Sequence, residues 1–359
     1  MSNTPNKFVL PANFSYDDPL PFECDTSVSA ITSLITYILH ASYLILGSVL
    51  NGLIIRTVFR AKQSVYRENS FYLLYTADAV VCIYINISEL LIGRLFSYIT
   101  PLCPIVSPYF FTPSILFKTY YAAKHYSVGF KTLSQIFLSL NRMTCVVMPM
   151  QHITLWRKIL SPVLIASFIL PFGGIWNILI SRVYINPYGG GFSVNYKDTI
   201  PWASQSRFQL VFIITALVFT GICTSVTLYR LCRMPQRWWS KRGAEKSISI
   251  ATVYISVGFI SVGVFQVLFG FFGYLFTTSA IFGLYHLSYD FLNVGSPIIM
   301  ILVDKKLRKS AFSGKSLQEE QVFSQSTMTR EQAERRRRRQ RRRLRIQQRL
   351  DEINSENRV

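Results

Sequence analysis

Among the ionisable side chains that interrupt long apolar stretches of this sequence, six stand out: Asp78, Glu89, Lys124, Lys131, Arg142 and Asp290. A charge among apolar neighbours is costly unless it faces a partner, a cavity or water. The chemistry open to these groups is ion pairing, ion relay and capture of a polar ligand. Helical spacing sorts them. Asp78 and Glu89 are 11 positions apart, three turns, so they share a face. Lys131 and Arg142 have the same spacing, with Gln135 between them and Lys124 seven positions earlier. Asp290, Asn293 and Pro297 follow at steps of 3 and 4, one further stripe. Three polar stripes point to one polar axis within a helix bundle. For Asp78 and Lys131 the expectation leans to a structural ion pair or hydrogen bond that fixes helix packing. For Glu89, Lys124 and Asp290, structural pairing and ligand contact both remain open. Lys118 and Lys124 can also snorkel to an interface.

Catalytic constellations are missing from the pattern. The four histidines, His40, His125, His152 and His286, fall on separate segments with no paired spacing for zinc. No nucleophile elbow, phosphate-binding glycine loop or His-Glu-x-x-His occurs. The expectation is therefore a protein that is not an enzyme, with no metal and no cofactor. The six cysteines are dispersed. Cys24 and Cys103 fall on one side of the bundle, where a bridge or two thiols are both open. Cys82 and Cys223 lie within apolar runs, where a small packing role is expected.

The elements that must hold these residues are long and apolar. The chain has 359 residues, 50% hydrophobic and 16% charged, against about 25% charged in a soluble domain. Collagen-like, disordered and disulfide-scaffold classes are excluded. Apolar runs recur at 31–56, 71–97, 115–147, 158–182, 208–232, 247–274 and 280–303. Roughly 20 helical residues cross the hydrocarbon core, and membrane depth demands internally satisfied backbone, so each run reads as a spanning helix. Residues 1–30 are polar, with Lys7 against Asp17, Asp18, Glu23 and Asp25, and no signal-peptide pattern. The first span is expected to start insertion itself. Prolines 101, 104, 108 and 113 mark an irregular connection, and Gly189-Gly190-Gly191 marks a flexible loop over 186–206.

Charge sets orientation. The net charge is +20. The tail from Asp304 carries 17 Lys/Arg against 8 acids. Three alternate loops carry 12, including Arg56, Arg60, Arg230 and Arg233, against Glu68 and Glu245. The opposite side is poor in Lys/Arg. The expectation is an outer N-terminus and a cytosolic C-terminus, with Asn13-Phe14-Ser15 as an outer glycosylation acceptor. Asn86-Ile87-Ser88, inside a span, should stay unmodified. Residues 335–345 read RRRRRQRRRLR, which in isolation suggests nucleic acid. Seven upstream spans turn that reading to attraction toward anionic lipids, with no nucleic-acid partner. A solvated, partly helical tail is the alternative.

Seven helices with an outer N-terminus resemble the G-protein-coupled receptor architecture. Leu50-Asn51-Gly52, Ala77-Asp78-Ala79, Asn141-Arg142-Met143 and Ser296-Pro297-Ile298-Ile299-Met300 resemble that superfamily's signature segments in spans one, two, three and seven. Asp304 to Phe312 resembles its short amphipathic eighth helix. The stretch Phe137-Leu138-Ser139-Leu140-Asn141-Arg142-Met143-Thr144, with Met148-Pro149 and Trp156, is similar to the nematode serpentine chemoreceptors of class gamma, over about residues 25–312. Departures are clear. Loop 186–206 has no Cys, so the usual bridge from span three cannot form, leaving Cys24 and Cys103 as the outer alternative. Asn141 stands where an acid usually precedes the Arg. Span six has no Trp, and Met300 replaces a Tyr.

The resemblance implies an all-α membrane protein: an extracellular segment 1–30, a seven-transmembrane helix bundle 31–303, an amphipathic eighth helix 304–312 and an arginine-rich cytosolic tail 313–359. It implies a chemosensory receptor in the plasma membrane of sensory cells. A small-molecule or peptide ligand would touch Glu89, Tyr121, Lys124, Gln266 and Asp290, with Lys124 and Asp290 facing each other across the pocket. Asn51, Asp78, Lys131 and Asn293 would form a polar network, with Asp78 paired to Lys131 where related receptors often hold sodium. Arg142, Arg230 and Arg233 would meet a heterotrimeric G protein. The alternative is a transporter or ligand-gated channel using the charges as a permeation path, but no internal repeat is present.

Overall fold

A computed structural model describes residues 15–25, 27–60, 66, 69–197, 199–233, 243–272 and 278–313. Asn13 and the arginine tract lie outside these residues. The order of long helices follows the apolar runs. α1 is Ala30–Phe59. α2 is Ser70–Tyr98, and the Asn69 side chain caps it by accepting from the Phe71 amide. α3 is Ile115–Val147, α4 Pro149–Ile180, α5 Gln205–Cys232, α6 Gly243–Phe272 and α7 Thr278–Val303. A short α8, Lys305–Ser313, follows, capped by Asp304 Oδ1 accepting from the amides of Lys306 and Leu307. α4 begins nine residues before its apolar run. The polar turns at Gln151–Lys158 continue the helix out of the hydrocarbon zone, which a hydropathy pattern does not register.

Six described helices, α1, α2 and α4 to α7, are long and apolar enough to cross a membrane. At about 1.5 Å per residue, the 30 residues of α1 exceed a hydrocarbon core of roughly 30 Å. Ile31, Ile38, Leu39, Val211, Val218 and Ile222 are each more than half exposed. So much outward apolar surface suits lipid and not water. α3 is the exception in composition, and its packing explains why. It touches α2, α4, α5 and α6, so it stands inside the bundle. Lys131, Gln135, Asn141 and Arg142 are buried on it. Its charges face protein, not lipid. The ring closes through α6 against α7 and α7 against α1.

Two helices depart from regular geometry. α2 is α-helical over Ser70–Ser88, a π-helix over Glu89–Arg94 and α-helical again over Leu95–Tyr98. α4 breaks between Ile169 and Phe172. Pro171 supplies no N–H and crowds the preceding turn there.

The connection expected as a flexible loop is instead an antiparallel hairpin, β1 Arg182–Tyr188 with β2 Gly191–Lys197. The glycine triplet is its turn. Gly189 (φ 61°) and Gly190 (φ 86°) take the left-handed conformations that a two-residue hairpin turn requires. Gly191 serves a close approach: a Cβ there would lie 2.0 Å from the Phe96 carbonyl oxygen of α2. The hairpin packs into a core of Phe117, Ile175, Ile178, Val183, Ile185 and Phe192. The N-terminal segment is strapped across it. Cys24 is joined to Cys103 by a disulfide. Arg182 donates to the carbonyls of Ser15 (2.9 Å), Asp18 (2.5 Å) and Phe111 (3.3 Å). At the opposite end Ile54, Phe71, Leu138, Trp156, Met300 and Leu307 form a second core.

Candidate functional site

Beneath the hairpin, α2, α3 and α7 bring four charges together. Glu89 Oε1 meets Lys124 Nζ at 2.7 Å and accepts from the Tyr120 hydroxyl at 3.1 Å. Its Oε2 lies 3.6 Å from Arg94 Nε and 3.9 Å from His286 Nδ1. Arg94 Nη2 donates to Asp290 Oδ2 at 2.8 Å, and Arg94 Nη1 donates to His40 Nδ1 at 2.5 Å. The Tyr43 hydroxyl donates to the same Asp290 oxygen at 2.5 Å. The formal charges of Glu89, Asp290, Arg94 and Lys124 cancel. A balanced, hydrogen-bonded group of this kind is what burial of charge requires.

Arg94 is absent from the sequence-based set, and the π-helix explains why. Five residues advance an α-helix by about 500°, which leaves Glu89 and Arg94 roughly 140° apart. The i→i+5 bonds of a π-helix bring residue 94 nearly over residue 89. No α-helical spacing rule groups the two. The expected opposition of Lys124 and Asp290 is corrected accordingly: Lys124 is held by Glu89, and Asp290 by Arg94 and Tyr43.

A cavity of about 150 Å³ opens beside this cluster. Of the expected ligand contacts, Glu89, Tyr121, Lys124 and Gln266 line it, and Asp290 does not. Lys124 is the accessible charge, its side chain 21% exposed against 6% for Glu89. Gln266 Oε1 is buried without a hydrogen-bond partner. The Tyr121 ring packs on His125 and Tyr196. Contributions the spacing rules missed come from the hairpin (Tyr188, Phe192, Asn195, Tyr196), from Gln209 on α5 and from His286 on α7. Burial, then the neighbouring Tyr98, raises the Tyr188 phenol well above its usual value and keeps it protonated as a donor. Nothing in the sequence marked residues 186–196 as a roof, because a hairpin's register depends on what it packs against.

Deeper in the bundle, Lys131 Nζ lies 3.7 Å from Asp78 Oδ2 and 2.7 Å from Cys82 Sγ. Cys82 in turn reaches Asp78 (3.6 Å) and Asn293 Oδ1 (4.0 Å). Asn51 bonds the Gly47 carbonyl within its own helix, at 3.0 Å. At the α8 end, Arg142 stacks its guanidinium 3.5 Å over the Phe71 ring. Beside it, Asn141 donates to Ser70 Oγ at 2.7 Å. Tyr72 donates to Asp304, tying α2 to the start of α8. Arg230 and Arg233 are exposed at the end of α5. Among the described residues, no group of three His, Cys, Asp or Glu side chains is arranged to hold a metal.

Residues 37–311 match the profile of the Srg family chemoreceptors. Serpentine receptor class gamma-10 of Caenorhabditis elegans is 51% identical over 311 residues, 86% of this chain and 94% of its own length. Serpentine receptor class gamma-13 of the same organism is 46% identical over 307 residues, 84% of this chain and 90% of its own. Serpentine receptor class gamma-20 is 45% identical over 309 residues, 85% and 88% of the two chains. The family match spans both polar clusters, and the chain belongs to the Srg family of chemoreceptors, multi-pass membrane receptors of the serpentine class.

Proposed function

We propose that this receptor binds a small external ligand in the cavity under the hairpin and passes the event to a heterotrimeric G protein. The observation that carries the reading is the cavity itself: about 150 Å³, walled by α2, α3, α5, α6, α7 and the hairpin, with Lys124 presented to it. A volume of that size suits a small molecule better than a peptide. A ligand oxygen that reaches Lys124 competes with Glu89 for it, and Gln266 and Tyr121 complete the contacts. A ligand shifts the bundle only through a difference in affinity for its two states. Loosening the bond between Lys124 and Glu89 supplies such a difference, since that bond ties α3 to α2. The contacts among Asp78, Cys82, Lys131 and Asn293 carry the change along the axis toward Arg142, and Asn51, bonded within α1, stands outside them. Arg142 is the switch residue, and it meets the G protein with Arg230 and Arg233.

In this reading all seven long helices span, α3 included, because its charges are spent inside the bundle. The hairpin, the strap and Asn13 lie outside, with Asn13 glycosylated. α8 and the arginine-rich tail lie in the cytosol against anionic lipid, in the plasma membrane of sensory cells. The test is a small-molecule panel on cells expressing the receptor with a G protein and a calcium readout. Lys124→Ala should raise the half-maximal concentration about ten-fold or more at unchanged surface amounts, as loss of a charge-assisted contact does. Arg142→Ala should keep ligand binding and lose the calcium response. A Lys124→Ala receptor that responds like wild type would overturn the site, and a non-glycosylated, cytosolic Asn13 would overturn the orientation.

A further inference from the structure

A second cavity, of about 260 Å³, lies in the flank of the bundle and not on its axis. It sits between α3, the break in α4 and the first turns of α5. Val128, Pro171, Ile175 and Phe212 form apolar walls. Its origin is local. Pro171 interrupts α4, and Gly173 and Gly174 follow with no side chains to fill the gap. A Cβ on either glycine would meet no heavy atom within 4 Å. Protein interiors are packed densely, so an unfilled space of this size is unusual.

Two features give the space a direction and a chemistry. Leu170, Gly173 and Phe208 line it and are exposed, so it opens outward, and their chain neighbours Ile169 and Phe172 are exposed too. That surface faces hydrocarbon in a multi-pass protein. Inside, Gln205 is 6% exposed and its Oε1 has no hydrogen-bond partner. A buried acceptor without a donor is costly, and a ligand donor would relieve it. At the inner end, His125 and Gln209 line this cavity and the axial one alike. The hairpin covers the axial cavity on its other side.

We propose that the flank cavity binds a lipid-soluble molecule with an apolar body and one hydroxyl, taken laterally from the bilayer. Its hydroxyl donates to Gln205 Oε1, and His125 with Gln209 forms the partition between it and the axial cavity. The proposal rests on the receptor reading only for what crossing that partition would do.

The experiment uses the full-length protein in vesicles with a trace of diazirine-bearing hexadecanol, photolysed and mapped by mass spectrometry. Label should concentrate in peptides covering 125–132, 170–175 and 205–212, and excess plain hexadecanol should remove it. Gly174→Phe should lower the label about ten-fold by occupying the space, while Gly174→Ala leaves it. Gln205→Leu should weaken labelling by the alcohol and not by the matched diazirine-bearing alkane. Label spread evenly over the exposed face of α1 and insensitive to competitor would overturn the proposal, and so would a folded Gly174→Phe protein that labels normally. Should that variant fail to fold, the peptide map and the competition decide the matter alone. No G protein is present in this assay. Correct labelling with no ligand-evoked calcium response would therefore sink the signalling reading and leave the site standing. A calcium response without localised label would do the reverse.

Discussion

Lys131 has two partners, and they make different predictions. Its Nζ lies nearer Cys82 (2.7 Å) than Asp78 (3.7 Å). A thiol gives only a weak hydrogen bond, whereas the carboxylate neutralises a charge. Lys131→Met therefore strands Asp78 and should cost about 3–5 kcal/mol, seen as a lower thermal midpoint of the purified receptor. Cys82→Ala should cost far less, and Asp78→Asn combined with Lys131→Met should recover most of the loss. Equal effects of Cys82→Ala and Lys131→Met would show that the thiol carries the site. The faces that carry the two residues were legible because an 11-residue step marks a face of regular helix, and the pairing itself was what the family resemblance implied. Arg94 was not legible, because its grouping with Glu89 depends on a π-turn that no residue type announces. Asp290 was found as a charge within a span and placed across the pocket from Lys124, while its partner Arg94 stayed hidden for the same reason.

The π-segment and the hairpin are the two elements that build the roofed cavity, and each can be tested as an element. Deleting Ile92 would convert Glu89–Arg94 to regular α-helix; the two residues, then four apart, stay within about 40° of each other, but the cavity wall that Ile92 and Gly93 form is lost. The expected result is a receptor with poor surface expression, or one that reaches the surface without ligand response. A deletion variant with wild-type response would remove the π-turn from the account. Gly191→Ala forces a Cβ to 2.0 Å from Phe96 O. The hairpin must lift, at a cost of about 1–3 kcal/mol typical of overpacking, read as a lower thermal midpoint. Gly173→Ala, with open space around it, should be near neutral and serves as the control. The glycine triplet was visible in the sequence, yet glycine marks a turn and a disordered loop equally well. The packing of Val183, Ile185 and Phe192 into the core beneath decides between them.

At the scale of the whole molecule, the order of the long helices was readable, since lipid leaves the backbone few alternatives to helix. What faces what inside the ring was not, because side-chain partners across helices leave no periodic trace along one. The positive excess belongs to this scale too. Replacing Arg335–Arg339 by Gln should weaken attraction of the tail to phosphatidylserine bilayers, at roughly 1 kcal/mol per Arg near the surface. Energy transfer between a labelled tail and the bilayer in nanodiscs should fall with phosphatidylserine present, and stay unchanged without it. One consequence of the covered cavity concerns time. The hairpin roofs the site and is itself held by the disulfide-anchored strap, so an occupant that leaves past the hairpin needs the roof to move. Departure waits for the protein to open, and gates of this kind set residence times more strongly than contact energy does. A cell carrying such a receptor would register that a compound had arrived some while after its concentration had fallen, so the strap would act as the clock of the response.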